Sequence, residues 1–119
     1  MFNQLIYLVM CKNSTPYKVG DIVYYMYNFS GSFPVFYEVT GLTKCCIKVR
    51  PLNKKFLNTS AGFGSFDCVP DLDTVINQAS GRRGGLLHVA ADGYAYISYY
   101  SYRFALRHWD GVPVSGFSA

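Results

Sequence analysis

Apolar and polar positions alternate along much of this chain, most clearly from Phe33 to Leu52. Side chains of an extended strand point to opposite faces in turn. Val35, Tyr37 and Val39 therefore share one face of a first run, and Cys45, Ile47 and Val49 share one face of a second. Pairing Val39 with Cys45, Tyr37 with Ile47 and Val35 with Val49 gathers all six on one side of a β-hairpin. Gly41 to Thr43 is then the loop, with glycine supplying the positive φ that short loops need. The other side carries Phe36, Glu38, Thr40, Lys44, Cys46, Lys48 and Arg50. It reads as a basic, solvent-facing surface on which Glu38 meets Lys48. A slip of one residue would expose the apolar set, so the pattern resists it. Pro51 has no N–H to give a ladder and predicts the end of the second strand or an edge.

The same reasoning extends along the chain. Met1 to Met10 is apolar from Leu5 onward and predicts a first strand. It is too short to span a bilayer, and no basic residue precedes it as a signal peptide would require. Lys12 to Pro16 is rich in turn formers. From Ile22 to Phe29 both faces are apolar or aromatic, as in a central strand or one whose outer face binds something. Ser30-Gly31-Ser32 turns the chain into the hairpin. Asn53 to Gly81 is the least regular stretch, and Pro70 to Ala79 reads as either a short helix or a connecting loop. Asp92-Gly93, between Leu86–Ala91 and Tyr94–Tyr100, is a hairpin signal. Tyr94, Tyr96 and Ser98 share one face of its second arm. Ser101 to Trp109 is a short helical turn or a further strand. Together these predict a mostly-β fold, a small antiparallel SH3-like barrel of about five to seven strands with at most one short helix. Residues 1–119 form a single domain with an irregular insertion at about 53–81.

Composition sharpens this picture. The chain has 119 residues, 50% hydrophobic and 15% charged, which excludes a disordered chain and fits one core. Aromatic residues make up 18%, a load that sheets accommodate well. A net charge of +4 draws anionic partners at long range but falls short of a dense basic stripe.

Candidate chemistry is sparse. The four cysteines, Cys11, Cys45, Cys46 and Cys68, form no C-x-x-C. The two histidines, His88 and His108, lie far from them in sequence, so no metal site is expected. The spacing is unlike a secreted disulfide framework and predicts reduced cytosolic thiols, with Cys45 packed in the core. The glycine-rich Ser60 to Ser65 lacks the lysine and hydroxyl of a phosphate-cradling loop. Cys46 with His88 or His108 is the one nucleophile–base pairing available, and nothing in the sequence places the two together. No catalytic residue and no cofactor are assigned, and the chain is read as a binder rather than an enzyme.

Three stretches carry a resemblance. Phe36-Tyr37-Glu38-Val39, Ile47-Lys48-Val49-Arg50-Pro51-Leu52 and Trp109-Asp110-Gly111-Val112-Pro113-Val114 are similar to motifs of a family of small uncharacterised proteins. That family is encoded by phages, prophages and mobile elements of gut bacteria. Ser115 departs from it, since an aromatic usually stands there. The resemblance implies a mobile-element origin and the bacterial host cytoplasm, and it carries no catalytic residues.

The expected role is then a phage-encoded accessory protein of counter-defence, which inhibits a host immune protein or sequesters its nucleotide messenger. Arg82, Arg83, Arg103 and Arg107 would meet phosphates, and Tyr96, Tyr99 or Trp109 would stack on a base. Lys48 and Arg50 extend the basic face. The alternatives are a nucleic-acid-binding small β-barrel and a homo-oligomeric assembly protein whose tyrosines form the interface. For any one tyrosine, core packing remains the plainer explanation.

Overall fold

A computed structural model describes residues 16–29, 31–57, 64–73, 85–99 and 101–118. The expected first strand, the Ser60 to Phe63 part of the glycine-rich stretch, and Arg82 and Arg83 lie outside the described residues. Among those described there are nine strands and no helix: β1 (Ile22–Tyr27), β2 (Gly31–Leu42), β3 (Cys46–Leu57), β4 (Ser65–Asp71), β5 (Gly85–His88), β6 (Tyr96–Tyr99), β7 (Tyr102–Ala105), β8 (Arg107–His108) and β9 (Val114–Ser118). β2, β3, β4 and β9 pair in a closed antiparallel circuit, with β1 and β8 added beside β2 and β5 beside β3. β6 and β7 form a separate two-stranded sheet. The mostly-β small barrel expected from the alternation is thus present. The short helix is not supported at its start, because Pro70 and Asp71 belong to β4.

The β2–β3 hairpin forms in a different register. Val39 pairs with Val49 and Tyr37 with Pro51, not with Cys45 and Ile47. The displacement is an even number of residues, so each side chain keeps its face. Val35, Tyr37, Val39, Ile47 and Val49 are all buried in one cluster. β2 continues through Gly41 and Leu42, and the loop is Thr43 to Cys45, closed by the Thr43 N–H donating to the Cys46 carbonyl at 2.9 Å. Gly41 sits instead beside an irregularity, where the register shifts by one between Val39 and Gly41. Such bulges sharpen strand twist. Glu38 consequently faces Arg50 rather than Lys48, and the two form an ion pair at 2.5 Å.

Pro34 and Pro51 both fall where a strand changes neighbours. Pro34 lies between Ser32, paired with β9, and Phe36, the first residue paired with β3. Pro51 lies between Val49, paired with β5, and Asn53, paired with β4. A missing N–H costs least at such a changeover, so β3 runs on through Pro51 instead of ending there. The same continuation makes Asn53–Leu57 and Asp67–Asp71 a regular antiparallel pair inside the stretch that looked irregular.

Two apolar clusters result. The larger combines Val23, Tyr25 and the inner faces of β2 and β3 with Tyr17, Val89, Ala95 and Leu106. The smaller, inside the closed circuit, is built on Phe36, Leu52 and Cys68, with Ile22, Tyr24, Phe66, Trp109 and Val114 against it. Phe36, expected to face solvent, is fully buried there. β1 separates the clusters and is packed on both faces, the first of the two readings that its two-sided apolar pattern allowed.

Tyr17 ties the larger cluster together. Its phenol donates to the Leu106 carbonyl at 2.7 Å and accepts from the Ala95 N–H at 3.0 Å. Burial pushes its pKa up. His108 stacks on its ring at 5.2 Å and hydrogen-bonds Asp21 at 3.0 Å. The expected reduced state fails at Cys45, which is disulfide-bonded, sits in the loop and is only half-buried. Cys46 and Cys68 are free thiols.

Candidate ligand-binding face

The β6–β7 hairpin carries the densest set of sequence-predicted site residues. Its entry is the Asp92-Gly93 turn, where Gly93 takes φ 88°. The Gly93 N–H donates to the Ala90 carbonyl, and the Ala90 N–H donates to the Tyr94 carbonyl, each at 2.9 Å. Asp92 Oδ1 accepts the Tyr94 N–H at 2.9 Å, and one Val89–Ala95 bridge closes the turn. The expected hairpin of two long arms is not formed. β5 pairs with β3 instead, and the second arm, β6, pairs with β7. Ser101 to Ala105 is accordingly a turn and a strand, not a helix.

The alternation of β6 and β7 then sorts the hairpin into two faces. Ile97 and Phe104 face inward onto the larger cluster. Phe104 stacks on Tyr25 at 5.0 Å, and Phe29 meets Phe104 and Tyr102 edge-on at 6.0 and 4.8 Å. Tyr96 and Arg103 lie on the outer face. The register pairs Ser98 with Arg103 and Tyr96 with Ala105, which makes Tyr96 and Arg103 diagonal neighbours. The Arg103 guanidinium lies over the Tyr96 ring, 4.2 Å from its centroid. The Tyr96 hydroxyl donates to Asp92 Oδ2. This bond, with the Tyr94 N–H and the nearby Arg103 charge, holds the Asp92 carboxyl below its usual pKa range, and the same bond raises the Tyr96 phenol.

A guanidinium over a ring face keeps N–H donors for the fork that matches a carboxylate or phosphate. Arg103 is exposed and forms no ion pair among the described residues. The arrangement therefore offers an exposed cation seated against the Tyr96 ring, whose hydroxyl is in turn bonded to Asp92. Asp92 was legible only as a turn former. Its second role follows from the turn bringing its carboxylate back under the residue four positions on.

The other expected residues are distributed elsewhere. Arg50 is engaged with Glu38, and Lys48 lies opposite Leu86 on β5. Arg107 is exposed on β8, opposite Tyr24 in the larger sheet. Tyr99 lies at the end of β6, opposite Tyr102. Trp109 is committed to the structure. Its Nε1–H donates to the Val112 carbonyl at 2.7 Å, and its ring meets Phe36 edge-on at 6.4 Å. With the Val112 N–H on Asp110 Oδ1 at 3.1 Å and Gly111 at φ 87°, the Trp-Asp-Gly-Val stretch is a self-closed turn that caps the smaller cluster. Among the described residues no group of three or more His, Cys, Asp or Glu residues is arranged to hold a metal ion. No helix among them is long and apolar enough to cross a membrane.

No protein-family model, no curated protein and no solved structure matches this chain.

Proposed function

We propose that the protein is a non-enzymatic binding module that takes a phosphate-bearing nucleotide ligand on the outer face of the β6–β7 hairpin. The observation that carries this reading is the exposed Arg103 guanidinium, seated over the Tyr96 ring and free of ion pairs among the described residues. A phosphate would take the guanidinium edge in a charge-assisted pair, and the net charge of +4 would draw the anion in. In the phage setting, such a module would act in counter-defence by sequestering a host nucleotide messenger, or by occupying the immune protein that reads it. That setting implies the host cytoplasm. The Cys45 disulfide is the one observation that weighs against a strongly reducing compartment.

A second reading, single-stranded nucleic acid, is favoured by Phe29 and Tyr102, which are both exposed at the edge of the same hairpin. One experiment separates the two. Thermal melting of the full chain is followed with a panel of cyclic mono- and dinucleotides, ATP and inorganic phosphate, beside retention on single-stranded DNA as salt is raised. A messenger binder gains melting temperature with a nucleotide and loses the gain in Arg103→Ala, whose unliganded melting stays unchanged. Steeply salt-dependent DNA retention with no nucleotide response supports the second reading. Absence of both responses overturns the site.

A further inference from the structure

The β3–β5 ladder brings together two chemically competent residues that the sequence leaves far apart. Cys46 and His88 are direct register partners, so both side chains leave the same face of the antiparallel pair. Opposed residues in such a pair have Cβ atoms about 4.5–5.5 Å apart, within reach of a thiol and an imidazole. The face is the outer one, because the next residue, Ile47, is fully buried on the other side. Cys46 is a free, half-buried thiol, and His88 is exposed. The backbone around them is pinned. The Thr43 N–H donates to the Cys46 carbonyl at 2.9 Å, and the Val89 N–H donates to the Cys45 carbonyl at 2.7 Å. Lys48 is the charged side chain one pleat along on the same face, with Leu86 opposite it. The chain contains its own contrast in Cys68, which is fully buried and whose thiol is pushed up by burial.

We propose that Cys46 and His88 form a thiol site that reacts with low-molecular-weight disulfides, making Cys46 a site of reversible S-thiolation. This is independent of the nucleotide reading, since it uses a different sheet and none of the residues of the β6–β7 face. The chemistry balances within the named reactants. His88 takes the proton of the Cys46 thiol, and the thiolate attacks one sulfur of the small disulfide along its S–S axis. The new bond joins Cys46 Sγ to that sulfur, the original S–S bond breaks, and the departing thiolate takes the proton back from the imidazolium. The Cys46 sulfur is oxidised and the departing half is reduced. A thiol in excess reverses the step. Attachment at the mouth of the β3–β5 pair adds bulk and charge beside Lys48 and gives this face a redox-dependent surface.

The test uses the folded full chain, incubated with oxidised glutathione and followed by intact mass and peptide mapping. One glutathione adduct is expected on Cys46 and none on Cys68, with loss of the adduct on adding dithiothreitol. The rate is expected to fall about tenfold in His88→Gln, a modest share of what a positioned base contributes. Far-ultraviolet circular dichroism of His88→Gln, expected to match that of the unaltered protein, establishes that the rates of two folded chains are being compared. An adduct mapped to another cysteine overturns the proposal. So does an unchanged rate in a folded His88→Gln; the mapping of the adduct is read on the unaltered protein and does not depend on the variant folding.

Discussion

Replacing Tyr17 with Phe removes one oxygen and should cost more than most deletions of larger groups. The ring is 2% exposed and stays in the cluster, so no cavity of consequence opens. What disappears is the hydroxyl that serves both the Ala95 N–H and the Leu106 carbonyl. Both residues are fully buried, and water cannot replace the lost partner without rearrangement. A buried polar group left unsatisfied costs about 1–3 kcal/mol. Two such groups, less the phenol's own desolvation that is no longer incurred, give a net loss of about 2–4 kcal/mol. A domain of this size has about 5–15 kcal/mol in total. The melting temperature should drop by about 10 °C. Urea unfolding followed by tyrosine fluorescence measures the loss. Amide exchange at Ala95 localises it, because that N–H should open far more readily in the variant. A loss below about 0.5 kcal/mol, the level of a neutral surface change, would refute the reasoning. So would unchanged protection at Ala95, since the phenol would then not be the fastener between the chain before β1 and the segment leading into the β6–β7 hairpin.

The same residue gives a pH dependence with a definite sign. Burial raises the Tyr17 pKa in the folded state, so its contribution is complete below the ordinary phenol value near pH 10 and is lost as pH rises through the folded value. Melting temperatures of wild type and Tyr17→Phe should therefore converge above about pH 10. Gly116→Ala should destabilise by about 1–3 kcal/mol, because a Cβ there would collide with the Ser32 carbonyl and approach the Phe66 ring at 2.8 Å. Gly85→Ala, with nothing within 4 Å of the new carbon, should stay within about 0.5 kcal/mol by the same urea assay. Phe36→Ala should cost about 3–5 kcal/mol, since the ring is fully buried. A surface-like loss at Phe36 would mean that the smaller cluster is not a core.

Alternation is a local property of extended backbone, and it was readable residue by residue. It placed Val35, Tyr37, Val39, Ile47 and Val49 on one face correctly, and it left β1 as either a central strand or one with a binding outer face, of which the structure shows packing on both sides. The Asp92-Gly93 turn and the two faces of β6 were equally local, which is why Tyr96 and Arg103 could be named as site candidates. A period of two, however, fixes pairing only to within an even displacement. The hairpin could therefore form with Val39 opposite Val49 instead of Cys45 without moving any side chain to the wrong face. Which strands become neighbours is a long-range matter, settled by how the sheet curls to bury the most surface. That closure put Phe36 inside the smaller cluster, turned Trp109 from a stacking candidate into a cap, let β3 run through Pro51, and gave Glu38 to Arg50. It also set β5 against β3 rather than β6, and so placed His88 opposite Cys46. No pattern within either strand could encode that meeting, because it depends on the path of the chain between them.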